Sequence, residues 1–298
     1  MTNTRAPEID CILYISFGGP EGPDDVIPFL ENVLRGKPVP RERMLEVAKH
    51  YYQFGGVSPI NAQNRDIICR LEVALRAANI HLPIYWGNRN WNPTIEQALK
   101  QIQADGRQMA LPILTNMFSS YSGCRQYREN IAQALQKLCG PAPGIAPRLR
   151  FGFNHPSFIT AQADLLGQVW QQISELDKSH SRLLFCAHSI PISMSENCSY
   201  VAQLMESARL IATEMQIDSW ELVYQSRSGP PQQPWLEPDV GDRIRQLSEK
   251  GTKSVVLVPL GFVSDHLEVL YDLDTEAQDL CGELGMSYHR AAAVGIHH

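Results

Sequence analysis

Short apolar runs alternate along this chain with longer amphipathic stretches. Residues 11–17, 84–86, 109–114, 149–153, 183–187, 221–225 and 254–260 are rich in β-branched and large apolar side chains. They are too short for helices and read as buried strands. Residues 24–35, 41–52, 61–79, 94–104, 124–138, 157–176, 199–215 and 239–250 read as helices between them. In the second of these, Met44, Val47, Ala48 and Tyr51 share one face. Asp24 and Asp25 suit a first helical turn, and Asn61 suits an N-cap. Residues 140–147 are the most Pro/Gly-rich segment and read as a linker or a long surface loop. Strands that alternate with helices predict parallel, doubly wound sheets. Seven strands fit one sheet, or two four-stranded Rossmann-like halves with a cleft between them. No repeat of 20–50 residues is present.

The final strand leads into the stretch with the densest chemistry. Gly261 ends it, and a helix is expected from Ser264 as N-cap. On that helix Asp265, Glu268, Asp272 and Glu276 fall at steps of three, four and four, forming one row of carboxylates. Like charges at i,i+4 cost a few tenths of a kcal/mol per pair, roughly. The row is either a solvated acidic face or a ledge for a hard divalent cation. It begins beyond the carboxyl end of a strand, where open α/β sheets bind ligands, and that favours the cation. His266 lies about 100° from the row per residue of offset and need not share a ligand sphere with Glu268.

Other strand ends carry candidate chemistry. His188 closes a Leu-Leu-Phe-Cys-Ala run. It is either structural or a metal ligand and proton acceptor, and its position favours the second. Tyr224, Gln225, Ser226 and Arg227 end another strand, with Trp235 in the loop beyond. They form either a packed polar loop or a floor for a flat ligand. Phe17, Tyr51, Trp91, Tyr121 and Tyr127 are further aromatic candidates, each individually explicable by packing. The Gly18-Gly19 turn lets backbone approach a ligand. It is no phosphate cradle of known form, since GxGxxG and GxxxxGK[ST] are absent, and the nucleophile elbow GxSxG is absent as well.

Composition narrows the class without changing this picture. The chain has 298 residues, enough for one large or two ordinary domains, with 44% hydrophobic and 19% charged residues. A net charge of −6 argues against a nucleic-acid surface. No apolar run approaches the roughly 20 residues of a membrane span. The first ten residues lack the apolar core of a signal peptide, so a cytoplasmic location is expected. Seven dispersed cysteines, with no CxxC pair, read as reduced thiols.

Five motifs in order resemble the ferrochelatases. They are Phe17-Gly-Gly-Pro-Glu21, Gly55-Gly-Val-Ser-Pro59, Ala187-His-Ser-Ile-Pro191, Gln225-Ser226 with Pro234-Trp-Leu236 and Pro238, and Gly261-Phe-Val-Ser-Asp-His-Leu-Glu-Val-Leu-Tyr-Asp272. The resemblance implies two Rossmann-like domains, each a parallel four-stranded sheet flanked by helices, around a porphyrin cleft. The expected boundaries are residues 1–117 for the first domain and 118–290 for the second, which carries the metal site. It implies insertion of Fe2+ into a porphyrin in haem biosynthesis, with iron and porphyrin as substrates and downstream haem-pathway enzymes as partners. His188 and Glu268 match the catalytic pair, and with Asp272 and Glu276 they make the metal set. Ser58 and Tyr127 match porphyrin contacts, and Tyr51 lies in a matching segment. Phe17, Gln225 and Trp235 complete the porphyrin-side set. The family resemblance further implies a bent, distorted macrocycle.

This chain departs from the pattern in places. Phe17 stands where one bacterial group has an iron-reaching Tyr, and Arg89-Asn90 stands where some members have Lys-His. Cys124 matches a ligand of the [2Fe–2S] cluster that some members carry, whose other three ligands lie in a C-terminal tail. A chain ending at His298 is expected not to assemble that cluster, and to lack the helix with which the family closes its first domain. The forms of residues 17–23 and 122–127 look most like the branch that converts coproporphyrin III to coprohaem. Arg125, Arg128 and Arg227 are then candidates for its propionates. Protoporphyrin IX is the alternative substrate. The competing classes are a cobalt or nickel chelatase of the same fold, a non-catalytic porphyrin- or haem-binding protein, and, more distantly, a two-domain sugar-binding protein.

Overall fold

A computed structural model describes residues 8–37, 39–229 and 232–297. The signal-peptide reading of the first residues, the Pro230-Pro231 part of the expected loop and the terminal His298 lie outside the described residues. The chain divides into two units. The first holds the described residues up to Thr115 together with Cys124–Arg150, and the second holds Asn116–Gly123 and the residues from Phe151 onward.

The first unit contains β1 (Cys11–Ser16), α1 (Val26–Val33), α2 (Arg41–Gln53), α3 (Ile60–Ala77) and β2 (Ile84–Asn88). It continues through α4 (Ile95–Ala104), β3 (Met109–Leu114), α5 (Gln126–Gln136) and β4 (Gly144–Ile145). The sheet order is β2-β1-β3-β4, all parallel. β1 is central and wholly buried. Its period of two sends Cys11, Leu13 and Ile15 into an apolar core with α4 and α5. Tyr14 and Ser16 face the other way and are satisfied by Asn64 of α3. Asn61 does not cap α3, because the helix begins at Ile60 after Pro59 and Asn61 lies inside it, fully buried.

The second unit contains α6 (Pro156–Trp170), α7 (Glu175–Ser179), β5 (Ser181–His188), α8 (Ile192–Ser195), α9 (Tyr200–Glu214) and β6 (Trp220–Gln225). Then follow α10 (Val240–Glu249), β7 (Ser254–Val258), α11 (Leu267–Tyr271), a π-helical turn (Asp272–Ala277), α12 (Gln278–Glu283) and β8 (Ser287–Arg290). The order is β6-β5-β7-β8, again all parallel. Both faces are covered. Leu183, Phe185, Val256 and Val258 enter one core, while Leu184, Cys186, Val255 and Leu257 enter the other. That two-sided burial is why β5 and β7 are continuous apolar runs rather than alternating ones. Two four-stranded parallel sheets, each with flanking helices, are the two-half solution of the expected fold.

Other sequence expectations are corrected as well. Residues 149–153 are irregular, with Leu149 57% exposed. The fourth strand of the first sheet is instead Gly144–Ile145, inside the Pro/Gly-rich segment, where it pairs with Met109 and Ala110 of β3. A two-residue edge strand tolerates flanking prolines because its outer groups face solvent. β8 was not anticipated, because Ser-Tyr-His-Arg lacks an apolar run; an edge position beside β7 supplies its pairing. The helix expected over 157–176 stops at Trp170, and a separate short helix follows after the N-cap Ser174.

Candidate functional site

His188 is the last residue of β5, and β5 runs in register with β6 so that His188 lies beside Gln225. The imidazole Nδ1 contacts the Ser189 carbonyl oxygen. A carbonyl only accepts, so Nδ1 carries the hydrogen and the neutral ring keeps its lone pair on Nε2. The backbone around it is held from several sides. Tyr200 donates its hydroxyl to the His188 carbonyl at 3.0 Å, Ser189 N–H donates to the Gln225 carbonyl at 2.8 Å, and Ser189 Oγ donates to the Leu236 carbonyl at 2.9 Å.

The chain leaving β7 crosses the end of β5 at Gly261. Its N–H donates to the Cys186 carbonyl at 3.0 Å. A Cβ at this position would sit 2.8 Å from both Cα and Cβ of Ala187, so only glycine permits the crossing without movement. Beyond it, His266 is the N-cap residue of α11 and lies edge-on to Phe262, with ring centroids 5.2 Å apart. Burial holds the His266 imidazole below its ordinary value; Glu268 pulls it up and His188 pushes it further down. His188, His266 and Glu268 therefore lie within electrostatic reach of one another. His266, left outside the ligand sphere on helical spacing alone, is brought to the same locality by its place before the helix.

The helix starts at Leu267, not after Ser264, so Asp265 is off the helix and does not join the carboxylate row. It pairs with Arg290 instead. Glu268, Asp272 and Glu276 do form a row. In an α-helix each step of four residues drifts by about 40°. The π-helical turn over Asp272–Ala277 holds more residues per turn, which offsets that drift over the second step, from Asp272 to Glu276. Glu268 and Glu276 are exposed and Asp272 is half-buried. Burial, reinforced by the charges of Glu268 and Glu276, pushes the Asp272 carboxyl up to about 7, against the opposing pull of hydrogen bonds from Ser226 and Gln225. Burial and the Asp239 charge likewise raise Glu276, with a hydrogen bond from Tyr271 opposing. Among the described residues no three His, Cys, Asp or Glu side chains converge as a preformed metal shell. The arrangement is a line of charges leading to a histidine.

Gln225 and Ser226 hold the middle of that line. Gln225 Nε2 donates to Asp272 Oδ2 at 3.1 Å, and the Ser226 hydroxyl donates to the same oxygen. Ser226 does so from a left-handed backbone conformation, φ 60°. Gln225 is buried, and among the described residues its Oε1 has no hydrogen-bond partner. Trp235 is also buried, its Nε1 without a hydrogen-bond partner among the described residues. Its indole lies so close to Gly229 that a Cβ there would meet Nε1 at 2.4 Å. Trp235 also borders a cavity of about 280 Å³ lined by Tyr224, Arg227 and Asp239.

The first unit gathers most of the other candidates. Phe17 follows β1 and packs with Phe29 at 6.3 Å; Phe29 in turn contacts Tyr51 at 5.8 Å and Trp91 at 6.2 Å. The Arg89 guanidinium sits 5.8 Å from the Phe17 ring and 5.7 Å from the Tyr127 ring. Tyr127 is buried, which raises its phenol. Ser58 is buried, and its N–H donates to the Pro20 carbonyl at 2.8 Å, beneath the Gly-Gly turn. Cys124 accepts from Arg148 Nη1 at 3.1 Å. Arg125 and Arg128 are exposed, and Arg125 pairs with Glu129.

Sequence reading missed the buried polar network that supports these loops. The Ser16 hydroxyl donates to Asn88 Oδ1, which also accepts from Trp86 Nε1 at 3.1 Å. Asn88 Nδ2 donates to the Asn92 carbonyl at 2.9 Å, and Asn61 Nδ2 to the Gly19 carbonyl at 3.2 Å. The available signal was Asn61 and Asn64 at i,i+3 on a helix, facing a strand whose Tyr14 and Ser16 share one side.

Comparison with known proteins follows the same lines. A family model described as Ferrochelatase matches residues 10–298. A ferrochelatase of Rhodopirellula baltica is 56% identical over 295 residues, covering 99% of this chain and 84% of that protein. Coproporphyrin III ferrochelatases of Streptomyces coelicolor and Nocardia farcinica are 46% and 47% identical, covering 97% and 96% of this chain and 82% and 84% of theirs. Among solved structures, the sirohydrochlorin chelatase SirB of Bacillus subtilis with cobalt aligns at TM-score 0.51 and 12% identity, over 97% of this chain and 88% of that one. SirB with Fe3+ aligns at 0.54 and 11%, over 97% and 90%. At these identities SirB shares the fold alone.

Proposed function

Because the chain belongs to the ferrochelatase family, whose reaction is insertion of ferrous iron into a porphyrin in haem biosynthesis, we propose that its porphyrin is coproporphyrin III and its product coprohaem. The observation that carries this choice is the likeness to two coproporphyrin III ferrochelatases at 46% and 47% identity over nearly the whole chain. Coproporphyrin III has four propionates, and the exposed guanidinium groups of Arg125 and Arg128 suit carboxylates.

His188 is the proton acceptor in this reading. Iron enters as two pyrrole N–H protons leave, so a neutral imidazole with a lone pair on Nε2 is the group required. The Ser189 carbonyl supports that tautomer. Glu268 works beside it, as metal ligand or second proton acceptor. Asp272 and Glu276 continue the metal set outward, from the half-buried Asp272 to the exposed Glu276, and their carboxylate oxygens suit a hydrated divalent cation. The Asp272 carboxyl near 7 lets it give or take a proton as the cation moves. Phe17, Tyr51, Ser58 and Tyr127 in the first unit, and Gln225 and Trp235 in the second, are the porphyrin-side residues; the Phe17–Phe29–Tyr51–Trp91 cluster supports an aromatic seat. Cys124 is the position where relatives with a cluster would place a ligand.

All seven cysteines are free, three of them buried, which supports a reducing compartment and hence the cytoplasm. Among the described residues no helix is long and apolar enough to cross a membrane. Downstream enzymes that accept the iron porphyrin are the partners proposed.

The test is anaerobic incubation with Fe2+ and either coproporphyrin III or protoporphyrin IX, followed by absorbance. Faster metallation of coproporphyrin III supports the proposal. Faster metallation of protoporphyrin IX replaces the substrate, and binding of either without turnover replaces the enzyme with a carrier.

A further inference from the structure

The carboxylate row does not hold its own geometry. Five acids, Asp265, Glu268, Asp272, Asp274 and Glu276, crowd into twelve residues, and part of that span is a π-helical turn. Such turns are rare and persist where neighbours support them.

The support comes from β8. Arg290 makes a two-pronged pair with Asp274, Nε to Oδ1 at 2.5 Å and Nη2 to Oδ2 at 2.6 Å. Its remaining nitrogen, Nη1, donates to Asp265 Oδ1 at 2.7 Å. The other Asp265 oxygen accepts from the Ala293 N–H at 3.1 Å. Two residues earlier and on the same face of the strand, Tyr288 donates its hydroxyl to the Leu273 carbonyl inside the π turn at 2.6 Å. One strand thus grips the segment before α11 begins and again within the turn. The guanidinium is largely buried, with its side chain 14% exposed. Asp274 lies two residues from Asp272, so it points away from the row, and its pairing with Arg290 sets the rotation of the turn.

We propose that Arg290 is the positioning residue of the metal path. Its fork neutralises the two acids that do not belong to the row and fixes the rotation of the π turn, so that Glu268, Asp272 and Glu276 present in line. Tyr288 is its auxiliary. This deepens the iron-insertion reading and rests on it for its function. Arg290→Lys is the discriminating change, because an ammonium keeps the charge but lacks the planar fork that holds both carboxylates at once.

The experiment uses the full chain as wild type, Arg290→Lys and Tyr288→Phe. Co2+ affinity is measured by calorimetry without porphyrin, coproporphyrin III affinity by fluorescence quenching, and the KM for Fe2+ and for porphyrin separately. Arg290→Lys is expected to weaken Co2+ binding and raise the Fe2+ KM by about tenfold, the scale seen when groups orienting metal ligands are changed. Porphyrin affinity should stay within about twofold, below the same scale. Tyr288→Phe should move the same quantities in the same direction by less. It keeps Arg290, so it reports even if Arg290→Lys folds poorly. Wild-type Co2+ affinity and Fe2+ KM in both variants overturns the proposal, as does an equal loss of metal and porphyrin binding. A wild type that binds Co2+ yet inserts no iron sinks the insertion reading, while the Co2+ comparison still decides the role of Arg290.

Discussion

Gly261→Ala is the sharpest test of how His188 is placed. The new Cβ would lie 2.8 Å from Cα and Cβ of Ala187, the residue before His188. Carbon atoms pack at about 3.5–4.0 Å, so the overlap is roughly 0.7 Å or more, and one of the two atoms is backbone. Ala187 is fully buried in the core and cannot retreat. The relief must come from lifting the chain that leads to His266 and Glu268. Overpacking of this kind costs about 1–3 kcal/mol, reduced by about 0.4–1 kcal/mol from the stiffer unfolded chain. That net cost lowers the melting temperature by a few degrees, at roughly 2–4 °C per kcal/mol. The catalytic loss should be larger in proportion, because a displacement near 1 Å costs on the order of 100-fold in rate. The assay is kcat for iron insertion beside a thermal melt. Gly282→Ala serves as control: it lies in α12 with nothing within 4 Å of its added Cβ, and it should stabilise by roughly 0.5–1 kcal/mol without touching kcat. Adding Ala187→Gly to Gly261→Ala removes the Cβ clash but leaves the Cα clash, so recovery should be partial. Wild-type kcat and melting in Gly261→Ala would refute the idea that this close approach positions His188.

Further outcomes follow from the same geometry. His188→Ala should lower insertion by about 10²–10⁴-fold, the range for a lost general base, while fluorescence titration finds porphyrin affinity nearly unchanged; surviving turnover would remove His188 from its role. Burial raises the Asp272 carboxyl from 3.8 to about 7. The native state then holds that proton more tightly than the unfolded chain, so the stability it contributes is complete below about pH 4 and is lost as pH climbs to about 7. Asp272→Asn should therefore raise the melting temperature relative to wild type above that window, with the gain shrinking as pH falls through it; a pH-independent difference would contradict the raised value. Asn88→Ala removes the acceptor of the Ser16 hydroxyl and the donor to the Asn61 side-chain oxygen and the Asn92 carbonyl, and leaves Trp86 Nε1 only its longer bond to Ser16 Oγ. At about 1–3 kcal/mol per stranded group it should cost several kcal/mol in a denaturant melt and raise the porphyrin KM. A small loss would mean that water replaces the amide.

The sequence alone settled what local pattern can settle. Continuous apolar runs such as Leu183 to Ala187 announced strands buried on both faces, because each face meets helices and neither can be polar. Helical spacing located most helices within a few residues, as with 94–104 against Ile95–Ala104 and 239–250 against Val240–Glu249, whereas neither expected cap, Asn61 nor Ser264, takes that place. The five family motifs, which survive as linear strings, named the chemistry. Tertiary structure decided what depends on pairing. Gly144–Ile145 and Ser287–Arg290 are strands only because β3 and β7 offer an open edge in register, which no local composition records. Asp265 looked like the first member of the acidic row by spacing, yet the helix starts after it and Arg290, twenty-five residues later, takes it away. The step from Asp272 to Glu276 runs through a π-helical turn that spacing at 3.6 residues cannot foresee. Periodicity reports which face a residue takes within its own element. Which partner neutralises it is set by elements distant in sequence, and those meet only when the sheet forms.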